Sequence, residues 1–90
     1  MVELVTFTTI KTLIGKKRVF IQASTIQELL DKLFLHYGDE IKKELFTDDN
    51  KLKPHYRIVV NGKNINLLDD YETPLNEDDM VAIMPAIAGG

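Results

Sequence analysis

Between Thr25 and Gly38 the chain carries the one segment whose period admits a single secondary structure. Ile26, Leu29, Leu30, Leu33, Phe34 and Tyr37 recur at steps of three and four, which places them on one stripe of an α-helix. Thr25 stands three residues before Glu28, the capping-box spacing in which hydroxyl and carboxylate each satisfy an orphan backbone N–H, and Gly38 supplies the C-terminal cap. Burying those side chains at roughly 1.5 to 3 kcal/mol each amounts to about 9 to 18 kcal/mol before conformational entropy is subtracted. So heavy a stripe must lie on an apolar surface, and a chain of 90 residues has room for one small core.

Strands supply that surface. Val2 to Ile10 is rich in β-branched residues and alternates Val2, Leu4 and Thr6 against Glu3, Val5 and Phe7, which predicts a first strand. Gly15-Lys16-Lys17 reads as the turn of a hairpin returning through Arg18 to Gln22, so the basic cluster Lys16-Lys17-Arg18 is a solvated tip. Asp39 to Phe46 can form a short helix through Ile41 and Leu45, and Thr47 to Lys51 is a polar turn. Tyr56 to Val60 predicts another strand, followed by Asn61-Gly62, the dipeptide that most favours a type I′ turn. Ile65 and Leu67-Leu68 are expected to resume pairing. Asp69 to Leu75 is a loop, Asn76 to Asp79 a turn, and Met80 to Met84 the last strand, with Pro85 ending the sheet pairing. This order describes an α+β chain of the β-grasp (ubiquitin-like) type, a mixed four- to five-stranded sheet with one main helix packed across it. It divides into a domain over 1–84 and a flexible tail over 85–90.

Most chemistries are disfavoured by what the chain lacks. Without cysteine there are no disulfides, zinc–thiolate sites or side-chain thiol reactions, so any sulfur it handles is held elsewhere. His36 and His55 stand far apart in sequence, and no metal site is expected from them. The pairs Asp48-Asp49, Asp69-Asp70 and Asp78-Asp79 lack the glycine and distal glutamate of a calcium loop, and read as turn chemistry. Gly15, Gly38 and Gly62 are isolated and make no phosphate-binding pattern. A net charge of −3 with scattered lysines argues against nucleic acid, and no apolar run approaches a membrane span. Met1 leads straight into Val2-Glu3-Leu4-Val5 with no signal-peptide pattern, so a cytoplasmic protein is expected. No nucleophile–base pair stands out, and the domain is not expected to be an enzyme.

What remains is Ala88-Gly89-Gly90. Two residues without Cβ can thread a passage too narrow for any other dipeptide and present a carboxylate at its far end. That carboxylate, ionised at neutral pH, can attack the α-phosphorus of ATP and become an acyl-adenylate, open to a sulfur donor or an amine. From Pro85 through Ala86 and Ile87 to Gly90 the extended chain spans about 20 Å at most, enough to reach into a partner's pocket.

The residues also resemble a known family. Phe7-Thr8-Thr9-Ile10-Lys11 with Gly15-Lys16, Val60-Asn61-Gly62, Thr73-Pro74-Leu75 with Asp79-x-Val81-Ala82-Ile83, and Met84 to Gly90 are similar, in that order, to the motifs of the MoaD/ThiS sulfur carriers. The closer likeness is to the small subunit of molybdopterin synthase. Lys11 stands where that family usually has arginine, Met84 for phenylalanine and Ala86 for a second proline. The resemblance implies that an adenylylating enzyme of the ubiquitin-activating type spends ATP on Gly90, and that sulfur then replaces AMP. The thiocarboxylate would enter the large synthase subunit and donate sulfur in molybdenum cofactor biosynthesis, with no cofactor bound by the carrier. The alternatives it leaves are a protein modifier joined through Gly90 to lysines, or sulfur delivery to thiamin or tRNA. If Val2 and Leu4 face the helix, Phe7 lies on the opposite face near Met84, and these two with Lys11 are the expected partner interface.

Overall fold

A computed structural model describes residues 1–86. The chain runs β1 (Val2–Thr6), α1 (Thr8–Ile14), β2 (Arg18–Ile21), α2 (Ile26–Tyr37), α3 (Asp39–Leu45), β3 (Tyr56–Val60), β4 (Lys63–Asn64) and β5 (Met80–Pro85). Single 3₁₀ turns lie at Ile65–Leu67 and Asp70–Glu72. The strands form one five-stranded sheet in the order β2-β1-β5-β3-β4. β1 and β5 are parallel, and every other pairing is antiparallel. The helices supply the apolar partner: Ile26, Leu29, Leu30 and Leu33 of α2 and Ile41 and Leu45 of α3 share one core with Leu4, Ile58, Val81 and Ile83 of the sheet.

α2 forms where its period requires, and its cap works one residue wider than the box predicts. The Thr25 hydroxyl accepts the Glu28 N–H at 3.1 Å, while Glu28 Oε1 accepts the N–H of Ser24 at 2.7 Å. Gly38, at φ +97°, closes α2 and opens α3, a double duty that a side chain at that φ would strain.

The first strand ends earlier than its β-branched composition predicts. Thr8 to Ile14 is helical because Ile10 and Ile14, four residues apart, both reach the core, and burial outweighs the β-preference of Thr8, Thr9 and Thr12. Gly15 is therefore the left-handed cap of α1, its N–H bonded to Lys11 O at 2.8 Å, and not a hairpin turn. β2 still pairs back on β1, Val2 opposite Ile21 and Val5 opposite Arg18.

The second departure follows Asn61-Gly62. That turn forms as expected, with both residues at positive φ between paired Val60 and Lys63. Pairing then stops, because the Asn64 side chain accepts the Asn66 N–H at 2.9 Å and bends the chain into the 3₁₀ turn that buries Ile65. Among the described residues Leu67 and Leu68 pair with no strand, and Leu67 is 80% exposed. Asp79 shows what one acidic pair does: its carboxylate accepts from Asn61 Nδ2 at 3.0 Å and from the Asn76 N–H at 2.8 Å. Among the described residues no helix is long and apolar enough to cross a membrane.

Candidate functional site

The last described residues belong to the end of β5, the central strand of the five. Pairing carries through Pro85, opposite Tyr56, and the Ala86 N–H donates to His55 O at 2.7 Å, so Pro85 does not end the ladder as its type predicts. The reason is local: β1 stops opposite Ile83, so at Pro85 the side facing β1 has no strand to bond and the missing N–H costs nothing. Ile87, Ala88, Gly89 and Gly90 lie outside the described residues. The reactive-end expectation rests on them.

Phe7 and Met84 converge beside that strand end. Thr6 pairs with Ile83 across the parallel strands, and Phe7 keeps extended backbone at φ −140°, ψ 158°. Alternation therefore turns Phe7 and Met84 to the face opposite the core. Both are half-buried, Met84 paired across to Arg57 and Phe7 covered by Lys17, whose Nζ lies 5.6 Å from the ring centroid. That distance is within cation–π range. Val5, Ala82 and Val59, in register on neighbouring strands, continue the same face as an apolar row. Lys11 stands one turn into α1, exposed, and joins Phe7 only through its backbone N–H to Phe7 O at 3.3 Å.

Thr6 and Tyr56 are residues that sequence reading passes over. Thr6 is fully buried, its hydroxyl 2.8 Å from Lys16 O and 3.1 Å from Lys17 O, while its N–H donates to Lys17 O at 2.7 Å. It fastens the basic loop where Lys17 can cover Phe7. Its signal was a lone hydroxyl at an inward position of an apolar alternation. On the other flank the Tyr56 phenol donates to Glu44 at 2.6 Å and ties β3 to α3.

Burial first, and then the bond to the Glu44 carboxylate, pushes the Tyr56 phenol from 10.0 up to about 12. The fold thus favours the neutral phenol: the stability it adds is complete below pH 10 and is lost as pH climbs through about 12. The urea midpoint of the native protein is expected to fall over that interval. Tyr56→Phe, destabilised at neutral pH by loss of the Glu44 bond, is expected to fall less. Equal slopes in the two proteins would assign the effect elsewhere, first to Tyr71, whose phenol is also raised by burial.

A mixed β-grasp sheet with a central parallel pair and helices on one face defines a ubiquitin-like protein. The model of the ThiS family matches residues 4–90, and the chain belongs to that family. Small archaeal modifier protein 3 of Haloferax volcanii is 31% identical over 91 residues, covering 98% of this chain and 97% of its own. A putative sulfur carrier protein of Archaeoglobus fulgidus is 30% identical over 76 residues, 84% of this chain and 85% of its own. Among solved structures, a chain of the Amycolatopsis orientalis BexX/CysO complex superimposes with a TM-score of 0.84 at 26% identity, over the whole of both chains.

Proposed function

We propose that this chain carries sulfur as a thiocarboxylate on Gly90, and that it delivers that sulfur in molybdopterin synthesis. The observation that supports the reading most is that the family match runs through Gly89-Gly90, directly after a strand that borders an apolar face. The Gly90 carboxylate attacks the α-phosphorus of ATP on an activating enzyme, pyrophosphate leaves, and sulfur then displaces AMP from the acyl-adenylate. The side chains of the domain do none of this chemistry. Their part is to dock: Phe7, Met84, Ala82 and Val59 offer apolar area, and Lys17 and Lys11 add charge at its border. Resemblance to a chain from a two-protein complex supports docking through a partner; the pterin substrate is proposed on the sequence motifs' resemblance to the synthase small subunit alone.

The test is intact-mass spectrometry after incubation with ATP, the cognate activating enzyme and a sulfur source. Exchange of oxygen for sulfur adds about 16 Da. An unchanged mass with components shown to be active would sink the proposal. A second reading is favoured by the likeness to an archaeal modifier: the same adenylate captured by a lysine amine, joining Gly90 to another protein. Slow-migrating conjugates that vanish when Gly90 is deleted would select it.

A further inference from the structure

β2 is an outer strand of the sheet, and its free edge borders an apolar groove against α2. Val19 and Ile21 line the groove from the strand and Leu35, 88% exposed, from the helix, with Lys32 and His36 one helical turn apart on its rim. The groove encloses about 430 Å³. It is separated from β5 by β1.

The edge itself has a defined hydrogen-bonding phase. Because the Thr6 N–H donates to Lys17 O, the bonded positions of the β1–β2 ladder are Thr6 with Lys17, Leu4 with Val19 and Val2 with Ile21. Arg18, Phe20 and Gln22 therefore turn their backbone groups outward. Gln22 is closed off, its carbonyl accepting from Lys32 Nζ at 2.5 Å. Among the described residues nothing closes Arg18 and Phe20 on that side.

We propose that this groove takes an extended, acidic-flanked apolar segment of another protein, which adds to the sheet as a strand beside β2. Main-chain bonds to Arg18 and Phe20 would hold it, alternate side chains would enter the groove over Val19, Ile21 and Leu35, and its carboxylates would meet Lys32 and His36. Charge selects this occupant over a second copy of the chain. The groove lining holds two basic side chains and no carboxylate, and Lys16 and Lys17 lie exposed at the start of β2. Pairing two copies edge to edge would bring like charges together, whereas an acidic segment complements them. The site is distinct from the tail and stands whether Gly90 bears sulfur or is joined to lysine.

The test is a ¹⁵N-shift titration of the full chain with an acetylated peptide of alternating valine and isoleucine followed by three aspartates. Saturable shifts are expected along Arg18 to Gln22 and Lys32 to Tyr37. Leu35→Glu and Lys32→Glu alter exposed positions and are each expected to weaken binding at least about tenfold, as is replacing the peptide's aspartates by lysine. Phe20→Pro should do the same, since the N–H it removes points away from β1 and the ladder survives; unchanged amide shifts at Leu4 and Val81 verify the fold. Shifts centred on Phe7, Ala82 and Met84, or equal affinity in Leu35→Glu and Phe20→Pro, would overturn the proposal. So would a dimer of the unliganded protein that Phe20→Pro disperses.

Discussion

Leu30→Asp is expected to leave the chain unfolded at 25 °C, with a collapsed amide dispersion and no cooperative urea transition. Leu30 is 1% exposed, on the α2 face that meets the sheet. Truncating a buried leucine alone costs about 2 to 5 kcal/mol. An aspartate there must also either protonate or hold an unpaired charge in the core, adding several kcal/mol more. Total stability for a domain of this size is about 5 to 15 kcal/mol, so the loss rivals the whole. Leu35→Asp is the control. It lies on the opposite side of the same helix, 88% exposed, and is expected to shift stability by no more than about 0.5 kcal/mol. A Leu30→Asp protein with a native-like spectrum would mean that the α2 stripe is not what holds the sheet.

The contrast between Leu30 and Leu35 also shows which features the sequence made legible. α2 could be read because period, cap and glycine stop agree, and tertiary structure had nothing to override. β3 and its Asn61-Gly62 turn could be read for the same reason. α1 could not: Thr8, Thr9, Ile10 and Thr12 are β-branched, and only the landing of Ile10 and Ile14 in a core built by distant segments makes a helix there. β4 was overread because Ile65, Leu67 and Leu68 look like strand residues until the Asn64 side chain turns the chain away. At the candidate site, Phe7 and Met84 could be placed on one face from alternation alone, since a parallel register keeps that parity. Thr6 and Lys17 could not, because their roles depend on a loop whose path is set by the unforeseen helix.

Adding one alanine beyond Gly90, or replacing Gly89 by Phe, is expected to abolish acyl-adenylate formation while leaving the urea midpoint where it was. Extension turns the Gly90 carboxylate into an amide, which is no nucleophile, and carries the new carboxylate about 3.3 to 3.6 Å beyond the reacting position. Misplacement of even 1 Å can cost about 100-fold in rate, so ATP–pyrophosphate exchange by the activating enzyme should fall by at least that factor. Phe at 89 acts differently, by adding a Cβ and a ring where the proposed passage admits only backbone. Stability is expected to be insulated from both changes. Among the described residues the last core member is Ile83, and the last hydrogen bond toward the tail is that of Ala86 to His55. Exchange at the native rate by the extended chain would remove Gly90 as the reacting group. A lowered urea midpoint would instead make residues beyond Ala86 part of the packed domain, so that loss of activation could no longer be read as loss of fit in the partner's passage.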